Sequence, residues 1–274
     1  MVGALYGTVP GGLLVLAVMT SVIGPSVLPE QVVTLTVAAL TVVGSILAAA
    51  ISVTFAYVLF TGETPHVLVN GGWFIPPVVT IIIPLALASL IPHLDGGNAR
   101  LLLALGYAFY GVGFLLFLFT MGLLHDRLIL HTLPGAPLAP SLWIGLGPVG
   151  VGVLALLALA HVAAPGLQTG GAPVVVISQL AATGLWGFGV WWLAVAVALL
   201  VRYLRTGPLP FGLGWWAFTS RSVPHGGDID HRPSWETAAL EVFGAALYIG
   251  LVAFWILVTA NTLRGLRNGQ VWKR

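Results

Sequence analysis

Residues 73–91 read WFIPPVVTIIIPLALASLI, an apolar stretch that contains three prolines and no charged side chain. A stretch of this length and composition is typical of an α-helix that crosses the hydrocarbon core of a bilayer, which is about 30 Å thick. Similar long stretches cover residues 11–28, 32–60, 101–124, 141–160, 174–201 and 237–263. The sequence therefore predicts seven membrane-spanning helices, with a shorter apolar element at 209–219 as an eighth crossing or a re-entrant segment.

The composition of the chain favours the same fold class. Of the 274 residues, 58% are hydrophobic and 7% are charged, with a mean hydropathy of +1.04, whereas a soluble domain carries roughly 25% charged residues. The net charge of +2 excludes a basic nucleic-acid-binding domain, so no nucleic acid is expected as a partner. The lack of cysteine excludes disulfides and thiolate chemistry. We therefore predict an all-α polytopic membrane protein, with one transmembrane domain over residues 1–274.

Proline divides the predicted elements into two alternating classes. In chain order, with 209–219 counted as the seventh element and 237–263 as the eighth, the odd elements contain or border prolines and the even ones contain none. A proline inside a helix frees a carbonyl group and bends the axis, which a membrane tolerates where protein or water satisfies the backbone. We therefore expect helical hairpins with kinked inner helices and straight outer helices, although proline is also common in membrane helices generally. The prolines expected to shape the inner helices are Pro76, Pro77, Pro84 and Pro148.

The basic residues are distributed unequally between the two sides of the predicted bundle. With eight crossings, one side holds Arg127, Arg202, Arg205, Arg264, Arg267, Lys273 and Arg274, and the other holds Arg100, Arg221 and Arg232. Because basic residues concentrate on the cytoplasmic side, this predicts that both termini are cytoplasmic. The membrane in which we expect the protein is the plasma membrane.

The candidate chemistry is that of a pathway rather than of an enzyme. None of the seven histidines lies in the middle of an apolar run, and no run pairs a nucleophile with a base, so we expect no metal, no cofactor and no catalytic residue. Thr20, Thr80 and Thr219 provide hydroxyl groups on proline-bearing elements. Neutral hydroxyl groups can line a pore for anions, and each can equally donate only to a carbonyl of its own helix.

Four stretches together resemble the tellurite-resistance/dicarboxylate transporter family. They are Tyr6–Gly12 (YGTVPGG), Gly72–Val79 (GWFIPPVV), Trp143–Gly150 (WIGLGPVG) and Pro210–Thr219 (PFGLGWWAFT). The last is the most specific of the four, and their order along the chain strengthens the match. That family includes TehA-type channels, plant slow anion channels, yeast malic acid permeases and sulfite exporters.

The resemblance implies a fold and a function. The family has ten helices, arranged as five hairpins around a central pore with odd helices inside, and it usually forms a homotrimer. It implies transport of small anions, such as the C4-dicarboxylate malate, sulfite or chloride, by a channel or a secondary transporter. The position of the family's gating phenylalanine corresponds to Ser220 here, which makes Phe218 and Phe211 candidates for the constriction. Thr20, Thr80 and Thr219 are the expected lining.

Two departures from the family pattern lead to an alternative. Tyr6–Gly12 resembles the start of the family's third helix, so about eight of ten elements are expected and the first hairpin is missing. Residues 220–236 are rich in charged residues, proline and histidine, which suits either a polar extracellular loop or an out-of-frame translation better than a ninth family helix. The alternative function is a truncated or degenerate family member without transport activity, at most a partner subunit.

Overall fold

The computed structural model describes residues 3–62, 68–166, 171–219 and 238–268. Its seven α-helices are α1 (Thr8–Ile23), α2 (Glu30–Thr61), α3 (Ile75–Leu90), α4 (Gly96–Leu130), α5 (Leu146–Gly166), α6 (Gly171–Thr206) and α7 (Ala238–Arg267). No β-strand occurs in these ranges. All seven helices are long and apolar enough to cross a membrane, and each overlaps one of the seven predicted runs. The prediction of an all-α polytopic membrane protein is confirmed.

Each inner element begins with a 3₁₀ segment. Gly3–Gly7 precedes α1, Gly71–Phe74 precedes α3 and Ala136–Gly145 precedes α5, while Leu213–Thr219 forms most of the short element predicted at 209–219. We call these four the 3₁₀ starts. Residues 220–237, with the constriction candidate Ser220, lie outside the described residues.

The four selected prolines occupy two kinds of position. Pro76 and Pro77 lie in the first turn of α3 and Pro148 in the first turn of α5, where the missing N–H of proline leaves no intrahelical bond unmade. Pro84 lies inside α3 and deprives the carbonyl of Thr80 of its usual donor. Of the four, only Pro84 therefore stands in a helix interior, and the other three stand where a 3₁₀ start becomes an α-helix.

The helices form an inner and an outer layer. In the most apolar part of α3 and of α5, 72% of the residues are buried, against 22% in α4 and 17% in α6. Consecutive helices pair as hairpins (α1 with α2, α3 with α4, α5 with α6), and α3 lies between α1 and α5. The predicted division into inner and outer helices therefore holds for these pairs. The difference is smallest in the first pair, because α1 packs mainly on α2 and α3 and 33% of its apolar part is buried, against 28% in α2.

Two glycines of α4 bring this outer helix directly against the inner layer. A Cβ atom on Gly113 would lie 2.6 Å from Cγ1 of Ile81 in α3, and one on Gly106 would lie 2.6 Å from Cδ2 of Leu159 in α5. At Gly113 the Cβ atom would also lie 2.9 Å from the backbone nitrogen of Ile81, so this position requires glycine, whereas at Gly106 the leucine side chain would have to move.

The inner elements follow one another in a single row, which we call the inner row, and within the described part of the chain this row is an open arc. Its order is α1, α3, α5 and then Leu213–Thr219, and no extensive contact joins α1 to Leu213–Thr219 among the described residues. The closed central pore that the family resemblance implies remains a prediction.

Candidate functional site

The four 3₁₀ starts lie side by side at one end of the bundle. Gly3–Gly7 contacts Gly71–Phe74, which contacts Ala136–Gly145, which in turn contacts Leu213–Thr219. Each of the four family-like stretches overlaps one of these starts. Because the hairpin arrangement makes the inner elements parallel, the positive ends of the dipoles of α1, α3 and α5 all point toward this end.

A polar junction locks the second 3₁₀ start to the third. The backbone N–H of Gly71 donates to Oγ of Ser141 (3.2 Å), and that hydroxyl donates to the carbonyl of Leu138 (2.7 Å). A Cβ atom on Gly71 would lie 1.6 Å from the carbonyl oxygen of Ser141. Only glycine can occupy this position, since any side chain would displace the neighbouring backbone.

The side chain of Asn70 holds the chain in place directly before Gly71. Its side-chain oxygen accepts from the backbone N–H of Gly72 (2.8 Å), and its amide donates to the carbonyl of Leu68 (2.8 Å). Asn70 is 5% exposed, so these bonds are what make its burial tolerable. The side chain acts as an N-cap for the 3₁₀ start.

An outer helix supports the third 3₁₀ start through an indole. Nε1 of Trp192 in α6 donates to the carbonyl of Leu142 (3.1 Å). A Cβ atom on Gly145 would lie 2.8 Å from the same indole nitrogen. The position of α6 is thereby coupled to the start of α5.

Five aromatic rings form a cluster at the end of the inner row, which we call the aromatic cluster: Phe211, Trp215, Phe218, Trp143 and Phe254. The ring of Phe218 lies 5.3 Å from that of Trp143 and 5.3 Å from that of Phe254, measured between centroids. Trp215 links Phe218 (5.7 Å) to Phe211 (5.5 Å). The structure thus connects the two constriction candidates through one tryptophan, with Phe218 2% exposed and Phe211 37% exposed.

The three candidate threonines lie at different levels of the bundle. Thr20 is half-buried near the far end of α1, and Thr80 is buried in the second turn of α3. The hydroxyl of Thr80 donates to the carbonyl of Pro76 (2.9 Å), and that of Thr219 donates to the carbonyl of Trp216 (2.7 Å). These two hydroxyls therefore offer lone pairs to their surroundings, and an anion would have to draw the proton away from the helix carbonyl.

The inner helices α3 and α5 each leave one face less buried than the rest. The less buried residues include a set that recurs at helical spacing, and we call this set the inner stripe; Leu87, which is also half-buried, lies on the opposite face of α3. The inner stripe consists of Val78, Leu85 and Ser89 in α3 and Val151, Leu154, Ala158 and His161 in α5. His161, which falls just beyond the fifth predicted run, lies inside α5.

The charges at this end of the bundle come from the outer helices. The inner helices and the 3₁₀ starts contain no Asp, Glu, Lys or Arg. Five arginines lie near the C-terminal ends of the outer helices, at the same end as the 3₁₀ starts: Arg127, Arg202, Arg205, Arg264 and Arg267. The buried Arg127 donates to the carbonyl of Thr132. Asp126 in α4 is the acidic residue among them within the described residues, so the uncharged inner row is flanked by an excess of positive charge.

The chain matches a known family of membrane proteins. A family model described as SLAC1, voltage-dependent anion channel, matches residues 2–263. The chain belongs to this family. The match extends over nearly the whole chain and confirms the resemblance carried by the four stretches.

Several curated relatives of the family match the chain in part. Two uncharacterized transporters of Methanocaldococcus jannaschii are 32% and 33% identical over 213 residues, which cover 75% of this chain and 58% of each relative. The sulfite efflux pump SSU1 of Trichophyton rubrum is 26% identical over 229 residues, covering 78% of this chain and 60% of the relative. The chain thus spans about three-fifths of the length of these relatives. No solved structure matches the chain.

Sequence reasoning located the family-like stretches but missed the junction at their ends. Asn70 followed by two glycines is the local signal that could have indicated it, because asparagine favours helix N-caps and glycine favours close backbone approach. The partner of Gly71, Ser141, is 70 residues away, and no local pattern identifies it.

Proposed function

We propose that this protein moves small anions across the plasma membrane along the inner stripe, as a channel or a secondary transporter. The observation that carries the proposal is the row of four uncharged 3₁₀ starts at one end of the bundle. The helix dipoles aligned there attract an anion, and the absence of fixed charge in the inner row lets the anion leave again.

The flanking arginines would concentrate anions at this mouth. Charges of one sign around a low-dielectric cleft raise the local concentration of the opposite ion. The same arginines point to the cytoplasm by the positive-inside rule, which supports cytoplasmic termini. The mouth at the 3₁₀ starts would then open to the cytoplasm, and an exported anion would enter the protein there.

Sulfite is the first candidate substrate because one relative is a sulfite efflux pump. Malate-like C4-dicarboxylates and chloride are the further candidates, and tellurite resistance would be a consequence of the same anion transport. Phe218 and Phe211 are the proposed constriction and Pro84 the proposed bend, with Thr20, Thr80 and Thr219 as lining. We expect a homotrimer, as the family resemblance implies.

The experiment is anion flux into proteoliposomes that contain the purified protein. Sulfite, chloride and malate are compared at equal gradients, with protein-free vesicles as the control. We expect saturable or selective flux of at least one of the three anions. Folded, monodisperse protein without flux above the control would contradict transport and support the alternative of an inactive family member that acts as a partner subunit.

A further inference from the structure

A groove of 380 Å³ opens between the outer helices α4 and α6, at the end of the bundle opposite the 3₁₀ starts. Its α4 wall includes Leu103, Ala104 and Tyr107, and its α6 wall is formed by Val174, Ile177 and Ser178. The hydroxyl groups of Tyr107 and Ser178 bond to each other across the groove (3.1 Å). These two hydroxyl groups satisfy one another, and apart from Arg100 the remaining lining is apolar.

The length of α4 sets the depth of the groove in the bilayer. The 35 residues of α4 span about 52 Å, which exceeds the roughly 40–45 Å of a bilayer with its headgroups. With α4 centred on the bilayer, Arg100 lies about 6 Å from the helix start, at the level of the lipid headgroups. Tyr107 lies about 16 Å from the start, inside the hydrocarbon.

Arg100 supplies a positive charge at the headgroup end of the groove. Its side chain is exposed, and its Nε–H donates to the carbonyl of Gly96 (3.2 Å). This bond anchors the guanidinium group while its two terminal nitrogens remain as donors for a phosphate, the anion that arginine binds with paired hydrogen bonds. Among the described residues, Arg100 is the single Lys or Arg at this end of the bundle.

We propose that this groove binds an anionic phospholipid, with one acyl chain between α4 and α6 and the phosphate on Arg100. The order of the groups along α4 matches the order of the groups in the lipid. A cation lies at headgroup depth, and an apolar trough follows it directly into the hydrocarbon. The proposal is independent of the transported anion, because the groove lies on the outer layer and not on the inner stripe.

Phosphatidylglycerol and phosphatidylcholine are the two probes of this site. Each is titrated onto the purified full chain in detergent, with the thermal midpoint and the number of bound lipids by native mass spectrometry as readouts. We expect saturable stabilisation by phosphatidylglycerol and a clearly weaker effect of phosphatidylcholine. Equal effects of the two lipids on the unaltered protein would overturn the proposal.

Two substitutions test separately how the charge of Arg100 and the shape of the groove contribute to lipid binding. Arg100→Gln should weaken phosphatidylglycerol binding about tenfold, the loss expected for one charge-assisted hydrogen bond, and should remove the preference over phosphatidylcholine. Ala104→Phe fills the groove and should reduce the binding of both lipids. The control Arg205→Gln removes an exposed arginine at the other end of α6 and should bind phosphatidylglycerol as the unaltered protein does.

The same measurements test the competing occupant, a second copy of this chain. If Ala104→Phe converts an oligomer to a monomer and leaves the bound lipid unchanged, the groove is a protein interface and the lipid proposal is wrong. Unchanged binding by Arg100→Gln would also overturn it. Because Arg100→Gln preserves the shape of the groove, its result does not depend on how well Ala104→Phe folds.

Discussion

At the scale of single residues, Gly71 determines how closely the second and third 3₁₀ starts approach. Its replacement by alanine would place a Cβ atom 1.6 Å from the carbonyl oxygen of Ser141. We expect Gly71→Ala to destabilise the protein by at least about 1–3 kcal/mol, because a backbone atom rather than a flexible side chain must move.

The measurement is the thermal midpoint of the purified protein, with Gly12→Ala as the matched control. A Cβ atom on Gly12 meets no atom within 4 Å, and alanine is the better helix former by about 0.5–1 kcal/mol. The control should therefore melt at the same temperature or higher. Equal midpoints for Gly71→Ala and Gly12→Ala would show that the junction does not have the described geometry.

Phe218 is the residue whose removal should most directly affect flux. Its ring fills the space between Trp143 and Phe254, so Phe218→Ala would open the end of the inner row. We expect a several-fold increase in anion flux in proteoliposomes, together with a stability loss of about 3–5 kcal/mol.

Phe117→Ala is the control for the packing loss. Phe117 is 1% exposed and lies in α4, against Phe74 and Phe188. It should lose similar stability without an increase in flux. If both substitutions raise flux equally, the increase reflects a leaky fold and Phe218 is not the constriction.

The candidate threonines illustrate a limit of reading single residues from sequence. The sequence places Thr80 and Thr219 on proline-bearing elements, but the direction of each hydroxyl depends on carbonyls three or four residues earlier. Such local bonds compete with a lining role. Both roles are compatible with the sequence, and the structure shows the hydroxyl groups bonded to carbonyls of their own elements.

At the scale of elements, Pro84 is the one selected proline that interrupts the hydrogen bonding of a helix interior. Pro84→Ala would restore an N–H donor for the carbonyl of Thr80 and straighten α3. We expect a higher thermal midpoint and a several-fold lower anion flux, because the inner stripe would lose its bend at the centre of the bilayer.

Pro76→Ala serves as the control, since Pro76 stands in the first turn of α3, where proline leaves no helix bond unmade. Its flux and thermal midpoint should stay close to those of the unaltered protein. A Pro84→Ala variant with unchanged flux would mean that the bend proposed at Pro84 does not shape the pathway.

The helices were predictable from sequence, and the 3₁₀ starts were not. An uncharged run such as residues 73–91 has only one stable arrangement in a bilayer, because its backbone polar groups need partners within the segment. Whether its first residues form a 3₁₀ segment or an α-helix depends on contacts with distant residues, such as the bond from Gly71 to Ser141. Proline positions separated α3 and α5 clearly from α4 and α6, and α1 only weakly from α2, because the burial of a helix depends on the neighbours that pack on it.

In the whole molecule, the inner elements α1, α3, α5 and Leu213–Thr219 lie next to one another and form the proposed path for anions. The family match identifies the kind of protein, and the described helices supply an uncharged inner row with aligned dipoles. The central claim is that anions travel along the inner stripe. If so, a bulky charged group attached to that stripe should stop the flux.

Cysteine accessibility tests this claim most directly, because the natural chain contains no cysteine and any introduced thiol is unique. Val151→Cys and Ala158→Cys place a thiol on the inner stripe of α5, and Leu118→Cys places one on the lipid-facing side of α4, where Leu118 is 47% exposed.

Each variant is labelled with a charged methanethiosulfonate reagent in proteoliposomes, and sulfite or chloride flux is measured before and after labelling. The account predicts that labelling reduces flux several-fold in the two stripe variants and leaves the Leu118→Cys variant unchanged. Complete labelling of the stripe thiols without loss of flux would contradict it.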